Sequence, residues 1–479
     1  MKKINLILCL TIAIIINACK KSETRLETFE RINKEVLQNS KAYATLEEET
    51  RTIGHRLTGS ENGKKAEEYT YNKFKEYGFD SVKFVDFEVK SWSRKTVGVT
   101  IDGDSVKAVT LGHSPVEANV TAEIVDVNNG LEADYENKDV KGKIAFMYIG
   151  ILPNSDKSLH NLHRSEKTAI AIKHGAVGVI IFNQVDKGVL LTGTASVTGE
   201  VIPIPAVCIA KEVGFELKEK LKTKKIKAHI AMTNFSGLIK ARNVVATIKG
   251  SELPNERIII GGHLDSWDLA TGAIDNGIGS FAVLDIARAF KANKLQPKRT
   301  VQFVMFMGEE QGLLGSKYLV EQEMKNGTID NIKYMFNIDM GGNPIGIDAG
   351  GKVDTTFFKN LGADIQKVDT VFKNKLKHNL SLHSDHQPFM LEGVPTLEVV
   401  SNLDKKIYGC YHSDCDAFNL VNEEHIRNTA RFGTMILYGL ANAEILPAQK
   451  MDSETTKQFL IDNNLKEPLV IAGEWKWEK

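Results

Sequence analysis

Hydrophobic and polar positions change their rhythm along the chain, and each rhythm predicts a different kind of element. Residues 20 to about 45 are polar, charged and poor in aromatics, and read as a tether and a first helix. Beyond the glycine-rich loop Gly54-His55-Arg56-Leu57-Thr58-Gly59-Ser60, Ala66, Thr70, Phe74 and Tyr77 recur at helical spacing, and Gly78 closes the pattern. Residues 82–89 follow as a strand. From about Ala108 short strands and turns dominate, with Val120, Ile124 and Val127 near one edge. Lys143-Ile144-Ala145-Phe146-Met147-Tyr148-Ile149 reads as a buried strand, and Thr168-Ala169-Ile170-Ala171-Ile172-Lys173-His174 as an amphipathic helix ended by Gly175. Another apolar strand spans 177–182, and Ile202-Pro203-Ile204-Pro205-Ala206-Val207 leads a further one. From Asn243 strands and helices alternate. Residues 258–260, 300–307 and 334–338 are apolar strands; 277–290 is a helix carrying Phe281, Leu284, Ala287 and Arg288 at helical spacing; 427–443 is a closing helix. Such alternation predicts an α/β sheet covered on both faces. The last stretch, 446–479, is polar and ends in Trp475 and Trp477, and the pattern gives it no role.

The start of the chain follows a different logic. Lys2 and Lys3 precede an apolar run over 4–16 that is too short to span a bilayer. It ends in Ile16-Asn17-Ala18-Cys19, the layout of a secretory signal with a lipoprotein-type cleavage site. We therefore expect a signal peptide over 1–18, a lipid on the Cys19 thiol and a tether over 19–44, with an uncleaved N-terminal anchor as the alternative. Acyl chains would hold the protein on a bacterial membrane, on the periplasmic side or the cell surface, without spanning it.

With 479 residues the chain is long enough for two or three domains, and 42% hydrophobic and 25% charged residues are ordinary for a globular protein. Lys plus Arg equals Asp plus Glu, so nothing points to nucleic acid or another polyanion. Besides Cys9 and Cys19 there are Cys208, Cys410 and Cys415; outside the cytoplasm the last two form either a small disulfide loop around His412 or two free thiols.

The chemistry gathers in the alternating half, mostly just beyond strands, where open α/β sheets hold ligands. His263, in Gly262-His263-Leu264-Asp265, is a good zinc ligand as a neutral imidazole, and Asp265 could accept a hydrogen bond from its second nitrogen. Asp275 precedes a helix, where an N-cap is the ordinary use of Asp; its proximity in sequence to His263 suits a carboxylate shared by two cations. Glu309 and Glu310 follow an apolar strand between glycines. Adjacent side chains diverge, so one can bind metal while the other takes a proton from water. Asp339, at a strand end, and His412, in Tyr408-Gly409-Cys410-Tyr411-His412-Ser413-Asp414, are weak signals singly. Together these side chains supply the donors of a two-metal site plus a free base.

The ordered set His263, Asp275, Glu309-Glu310, Asp339 and His412 resembles the M28 family of zinc peptidases, which includes bacterial aminopeptidases and plasma glutamate carboxypeptidase. Glu309-Glu310-Gln311-Gly312-Leu313-Leu314-Gly315-Ser316 and His263-Leu264-Asp265-Ser266-Trp267 are similar to the carboxypeptidase-like members, and Ser384-Asp385-His386 resembles a family element near the substrate. The resemblance implies an α/β/α sandwich with a mixed central sheet, its catalytic domain split into 45–107 and 236–445. The insert, 108–235, resembles a PA domain. It further implies two Zn2+ ions, one held by His263 and Asp339 and the other by Glu310 and His412, with Asp275 bridging. Glu309 would be the general base, and Tyr411 would steady the tetrahedral intermediate. The expected activity is that of an aminopeptidase on peptide substrates. A carboxypeptidase or dipeptidase is the main alternative; a glutaminyl cyclase or a non-catalytic receptor-like relative is more distant. A homodimer stays an open reading.

Overall fold

Two very long strands, Ser81–Ile101 of 21 residues and Lys227–Ile248 of 22, organise the molecule. They pair antiparallel from Ser81↔Thr247 to Ile101↔Ala228, with one register shift between Arg94 and Thr96. The computed structural model describes residues 23–379 and 381–477, so the signal and lipid-anchor expectation for 1–19 lies outside the described residues. Among the described residues no helix is long and apolar enough to cross a membrane.

One end of the ribbon belongs to a mixed sheet. Its order is Lys375–Lys377, Gly346–Gly350, Thr396–Val399, Ile332–Asn337, Leu253–His263, Arg299–Phe306 and Lys227–Ile248. The four strands from Thr396–Val399 to Arg299–Phe306 run parallel. Successive strand residues face opposite sides, and both sides are apolar here. Ile258, Ile260, Phe303 and Phe336 pack against Phe281 and Ile286 of the helix Ile278–Ala292, while Ile259, Val304, Phe306 and Met335 pack against Val320 and Phe389 on the other face. The other end of the ribbon pairs with Glu117–Asp126, which leads into parallel strands Ile144–Tyr148, Gly178–Phe182 and Ala206–Ile209 with helices Arg164–Lys173 and Lys211–Leu221. The expected insert is thus present as a second sheet. No linker joins it to the first: the same two strands run through both.

The expected tether over 19–44 is corrected from Arg25 onward. Arg25–Asn39 is a helix capped by Thr24, and Phe29, Ile32 and Val36 on one of its faces are fully buried. Polar composition hid a sparse apolar stripe that packs with the helix Glu423–Ala441. The tail also folds, into Ser453–Asp462 and Lys466–Ile471. If the first helix is part of the core, Phe29→Ala costs about 3–5 kcal/mol. Urea unfolding monitored by circular dichroism would show the midpoint drop, and an unchanged midpoint would return this segment to a tether.

Candidate metal centre

Three parallel neighbours of the mixed sheet end at the same edge, and each brings a donor there. His263 closes Leu253–His263, Glu309 and Glu310 follow Arg299–Phe306, and Asp339 follows Ile332–Asn337. Asp275 and His412 arrive from loops. His263 Nε2 lies 3.2 Å from Asp275 Oδ1 and 3.5 Å from Asp339 Oδ1. His412 Nε2 lies 2.8 Å from Asp275 Oδ2 and 2.9 Å from Glu310 Oε2. Two donor groups therefore meet at Asp275, one oxygen facing each imidazole. Asp275 does not cap the following helix, whose N-terminus has no side-chain cap. Glu309 stands slightly apart, 4.0 Å from His263 Nε2.

The supporting contacts explain why loops can carry ligands. His263 Nδ1 faces the backbone carbonyl of Asp265 at 3.0 Å, whereas the Asp265 carboxylate is at 3.7 Å. That carboxylate is turned elsewhere: it accepts from the Thr58 hydroxyl at 3.0 Å and from the Glu309 backbone N–H at 3.2 Å, fixing the acid beside the site. Asp416 is buried and accepts from the backbone N–H groups of Ile274 at 2.7 Å and Asp275 at 3.0 Å. Arg56, fully buried, donates to the carbonyls of Leu264, Thr271 and Gly272 at 2.5, 2.9 and 2.7 Å and pairs with buried Glu49 at 3.0 Å. It thereby ties the segment after His263 to the segment before Asp275. His412 has φ +54°. Its turn is closed by the Cys410–Cys415 disulfide, and its carbonyl accepts from the Thr192 N–H of the insert at 2.8 Å. Ser384 donates to Asp339 Oδ2 at 2.8 Å. Asp416, Arg56 and Thr58 escaped the reading of the sequence. Each acts through backbone or through another side chain, and no spacing rule exposes that.

Electrostatics set the demand for cations. Burial lifts Glu309 well above the usual carboxylate range; His263 opposes this, and Glu310 and Asp339 add to it. Burial lifts Glu310 to about 7 against the pull of His412. Burial alone would raise Asp275 too, but hydrogen bonds from His263 and His412 hold it well below its ordinary value. Glu310 Oε1 and His412 Nδ1 are buried without a hydrogen-bond partner. A buried carboxylate with an unsatisfied oxygen among imidazoles and further carboxylates fits divalent metal, and these are the donor types zinc takes.

The site opens into a cavity of about 340 Å3, at the small end of ligand pockets. Tyr411 lines it, its ring stacked on His412 with centroids 3.7 Å apart. Burial, opposed by Arg164 and helped by Asp275, Glu310 and Glu309, pushes the Tyr411 hydroxyl well above the ordinary phenol range, so it stays a donor. Further walls come from the insert, through Arg164 and Glu166, and from the tail, through Leu469 and Glu474. Ser384 lies at the site and Asp385 is buried beside it, as the resemblance implied.

Residues 243–436 match the model of peptidase family M28, and residues 120–217 match that of the PA domain. The chain is 28% identical over 407 residues to carboxypeptidase Q of Xenopus laevis, which covers 82% of this chain and 84% of that one. In structure it is similar to a peptidase M28 precursor from Shewanella amazonensis SB2B, with a TM-score of 0.75, 24% identity and coverage of 89% of this chain and 99% of that one. It is also similar to an aminopeptidase from Aneurinibacillus sp. strain AM-1, with a TM-score of 0.65, 27% identity and coverage of 88% and 97%.

The Arg56–Glu49 pair offers a check on how the ligand loops are held. Arg56→Met strands a buried carboxylate and should cost roughly 3–5 kcal/mol, whereas Glu49→Leu combined with Arg56→Met should recover much of that loss. Thermal melts would show it, and zinc titration should show weaker binding in both variants, because the three carbonyl contacts are gone in each. Zinc affinity equal to that of the parent would remove Arg56 from the support of the site.

Proposed function

We propose, for a chain that carries the catalytic domain of peptidase family M28 with a PA domain inserted in it, that it is a two-zinc aminopeptidase removing the N-terminal residue of short peptides. The observation that carries this reading is the meeting of His263, Asp275, Glu310, Asp339 and His412 in one pocket beside a carboxylate, Glu309, that neither imidazole holds closely. His263 and Asp339 would hold one ion, Glu310 and His412 the other, and Asp275 both. When bound, such a pair of ions polarises the scissile carbonyl and lowers the pKa of the attacking water.

The remaining work falls to the chain. Glu309, held through its backbone N–H by Asp265, accepts the proton of the attacking water and returns it to the leaving amine. Before metal binds, its burial, with Glu310 and Asp339 beside it, favours the protonated form, the state it takes after accepting that proton. Tyr411 donates a hydrogen bond to the oxyanion of the tetrahedral intermediate. The complete donor set weighs against a receptor-like relative that has lost its chemistry. Export and a lipid anchor at Cys19 belong to the same proposal and rest on residues 16–19.

A second reading, a dipeptidase or carboxypeptidase, is favoured by one feature of the cavity wall. Arg164 is 6% exposed, and among the described residues no carboxylate pairs with it. One of its Nη atoms meets His163 Nε2 at 2.9 Å and its Nε has no partner. Gly193 makes room for it: a Cβ there would lie 2.0 Å from Arg164 Nη1. A buried, uncompensated guanidinium facing a peptide-sized cavity is suited to a substrate's terminal carboxylate.

Glu309→Gln should retain zinc, measured by atomic emission on purified protein, while kcat falls roughly a hundred- to ten-thousandfold. Turnover surviving in that variant would remove Glu309 as the base. A panel of aminoacyl amides, free dipeptides and N-acylated dipeptides separates the two readings. In the aminopeptidase reading Arg164→Ala leaves all KM values alone. In the dipeptidase reading it raises KM only for substrates with a free carboxylate.

A further inference from the structure

We propose that residues 447–477 act as a strap that sets the length of peptide the site accepts, an inference that rests on the peptidase reading above. The strap is rooted on the catalytic domain. Leu460, Leu465, Leu469 and Trp475 bury together with Met390 of the helix His386–Leu391, which directly follows Ser384 and Asp385. The tail reaches the insert as well. Its helix Lys466–Ile471 packs on the insert's helix Arg164–Lys173, and Ile471 lies against the insert's apolar core. One short segment thus joins both domains at the wall of the cavity.

What the strap shows to the cavity decides its role. Glu474 lines the cavity with both oxygens engaged: Lys317 Nζ is 2.6 Å from one, and Gln387 Nε2 donates to the other at 2.6 Å. Gln387 in turn accepts from the backbone N–H of His383 at 2.7 Å, in the segment beside the metal centre. Lys317 and Gln387 line the cavity too. Glu474 is therefore a latch rather than a free receptor for a ligand. The surface left to a substrate is apolar, from Pro468, Leu469 and Ala472. On the tail side the cavity is thus closed by an apolar wall, and further residues of an extended chain directed there would have to displace it. The helix it leans on begins with Arg164, so the wall stands beside the proposed carboxylate receptor. The cavity of about 340 Å3 that remains suits a peptide of two or three residues.

The test compares kcat/KM for a free dipeptide with that for a tetrapeptide sharing its N-terminal residues, on the full zinc-loaded protein. The wild type should prefer the dipeptide. Ile471→Asp breaks the grip on the insert without altering a cavity-lining residue, and should raise the tetrapeptide-to-dipeptide ratio by roughly tenfold, the scale of one lost apolar anchor. Ala472→Trp fills the cavity and should raise KM for the dipeptide with kcat little changed. A merely structural strap would lower stability and move both substrates together. An unmoved ratio in a folded Ile471→Asp, or parental dipeptide kinetics in Ala472→Trp, overturns the proposal. Should Ile471→Asp not fold, Ala472→Trp alone decides. A wild type that turns over peptides with no length preference sinks the strap and leaves the peptidase reading standing, whereas no peptide turnover at all sinks both.

Discussion

Carboxylates packed into a buried cavity repel one another and lose their water, so they hold charge only if cations or hydrogen bonds compensate them. Asp275, Glu309 and Glu310 are in that position, with two imidazoles as the nearest balance and Asp339 partly exposed beside them. The rest of the structure follows from keeping this group together before metal arrives. Carboxylates left free to move would turn outward to water. They are prevented by rigid attachments: strand ends for His263, Glu309, Glu310 and Asp339, and buried polar anchors for the two loops. Arg56 and Asp416 are themselves charged groups placed in the core. Burial, helped by the charge of Asp275, lifts Asp416 to about 6 against two backbone N–H groups and Arg56, so holding the Asp275 loop carries its own electrostatic cost.

The second consequence concerns the insert. A domain joined by two flexible linkers would move relative to the sheet it interrupts. Here the junction is a pair of strands hydrogen-bonded through both sheets, and the Thr192 N–H of the insert reaches the carbonyl of His412 itself. The isolated pairing of Leu191 with Ser413 extends that contact past His412. The insert is thus part of the support of the metal centre as well as a wall of the cavity.

These two constraints explain what the sequence disclosed. The alternation of apolar strands and helices and the β-rich insert were legible because they depend on local periodicity, whereas the side chains that meet at Asp275 were legible only as an ordered set resembling a family, since Asp275 and His412 stand on loops that no periodicity marks. The long ribbon was not: residues 82–89 read as a short strand, since the polar faces of Arg94 and Lys95 conceal continued pairing out to Ile101. A first helix was read in this stretch, but the tether was drawn too long, to residue 44, because three apolar residues among charged ones suffice to bury the helix once a partner helix exists. The Asp265 carboxylate was assigned to the wrong bond, since a two-residue spacing cannot reveal whether a side chain or its own backbone carbonyl meets the imidazole. Arg56 and Asp416 were invisible because their partners are backbone groups some two hundred and some one hundred and forty residues away.

The charges of the cavity bear on which end of a peptide is read. The acidic groups at the wall differ in how far they are committed: Glu474 is engaged by Lys317 and Gln387, whereas Glu166 accepts from the His163 backbone N–H at 2.7 Å through Oε2 and leaves Oε1 without a hydrogen-bond partner. Glu398 is shared more loosely, 3.4 Å from the Asn337 amide and 3.5 Å from His386. Among the cations, Lys317 is neutralised and Arg164 is not. The wall therefore carries one uncommitted positive group, Arg164, and two carboxylates with an oxygen free or loosely held, Glu166 and Glu398. That arrangement matches a zwitterion, a peptide with both termini free, better than it matches either a long chain or a blocked one. Under the proposed peptidase reading, a site built this way would draw selectivity from the charges of the substrate's ends and leave the side chains between them to the apolar surfaces of the insert and the tail.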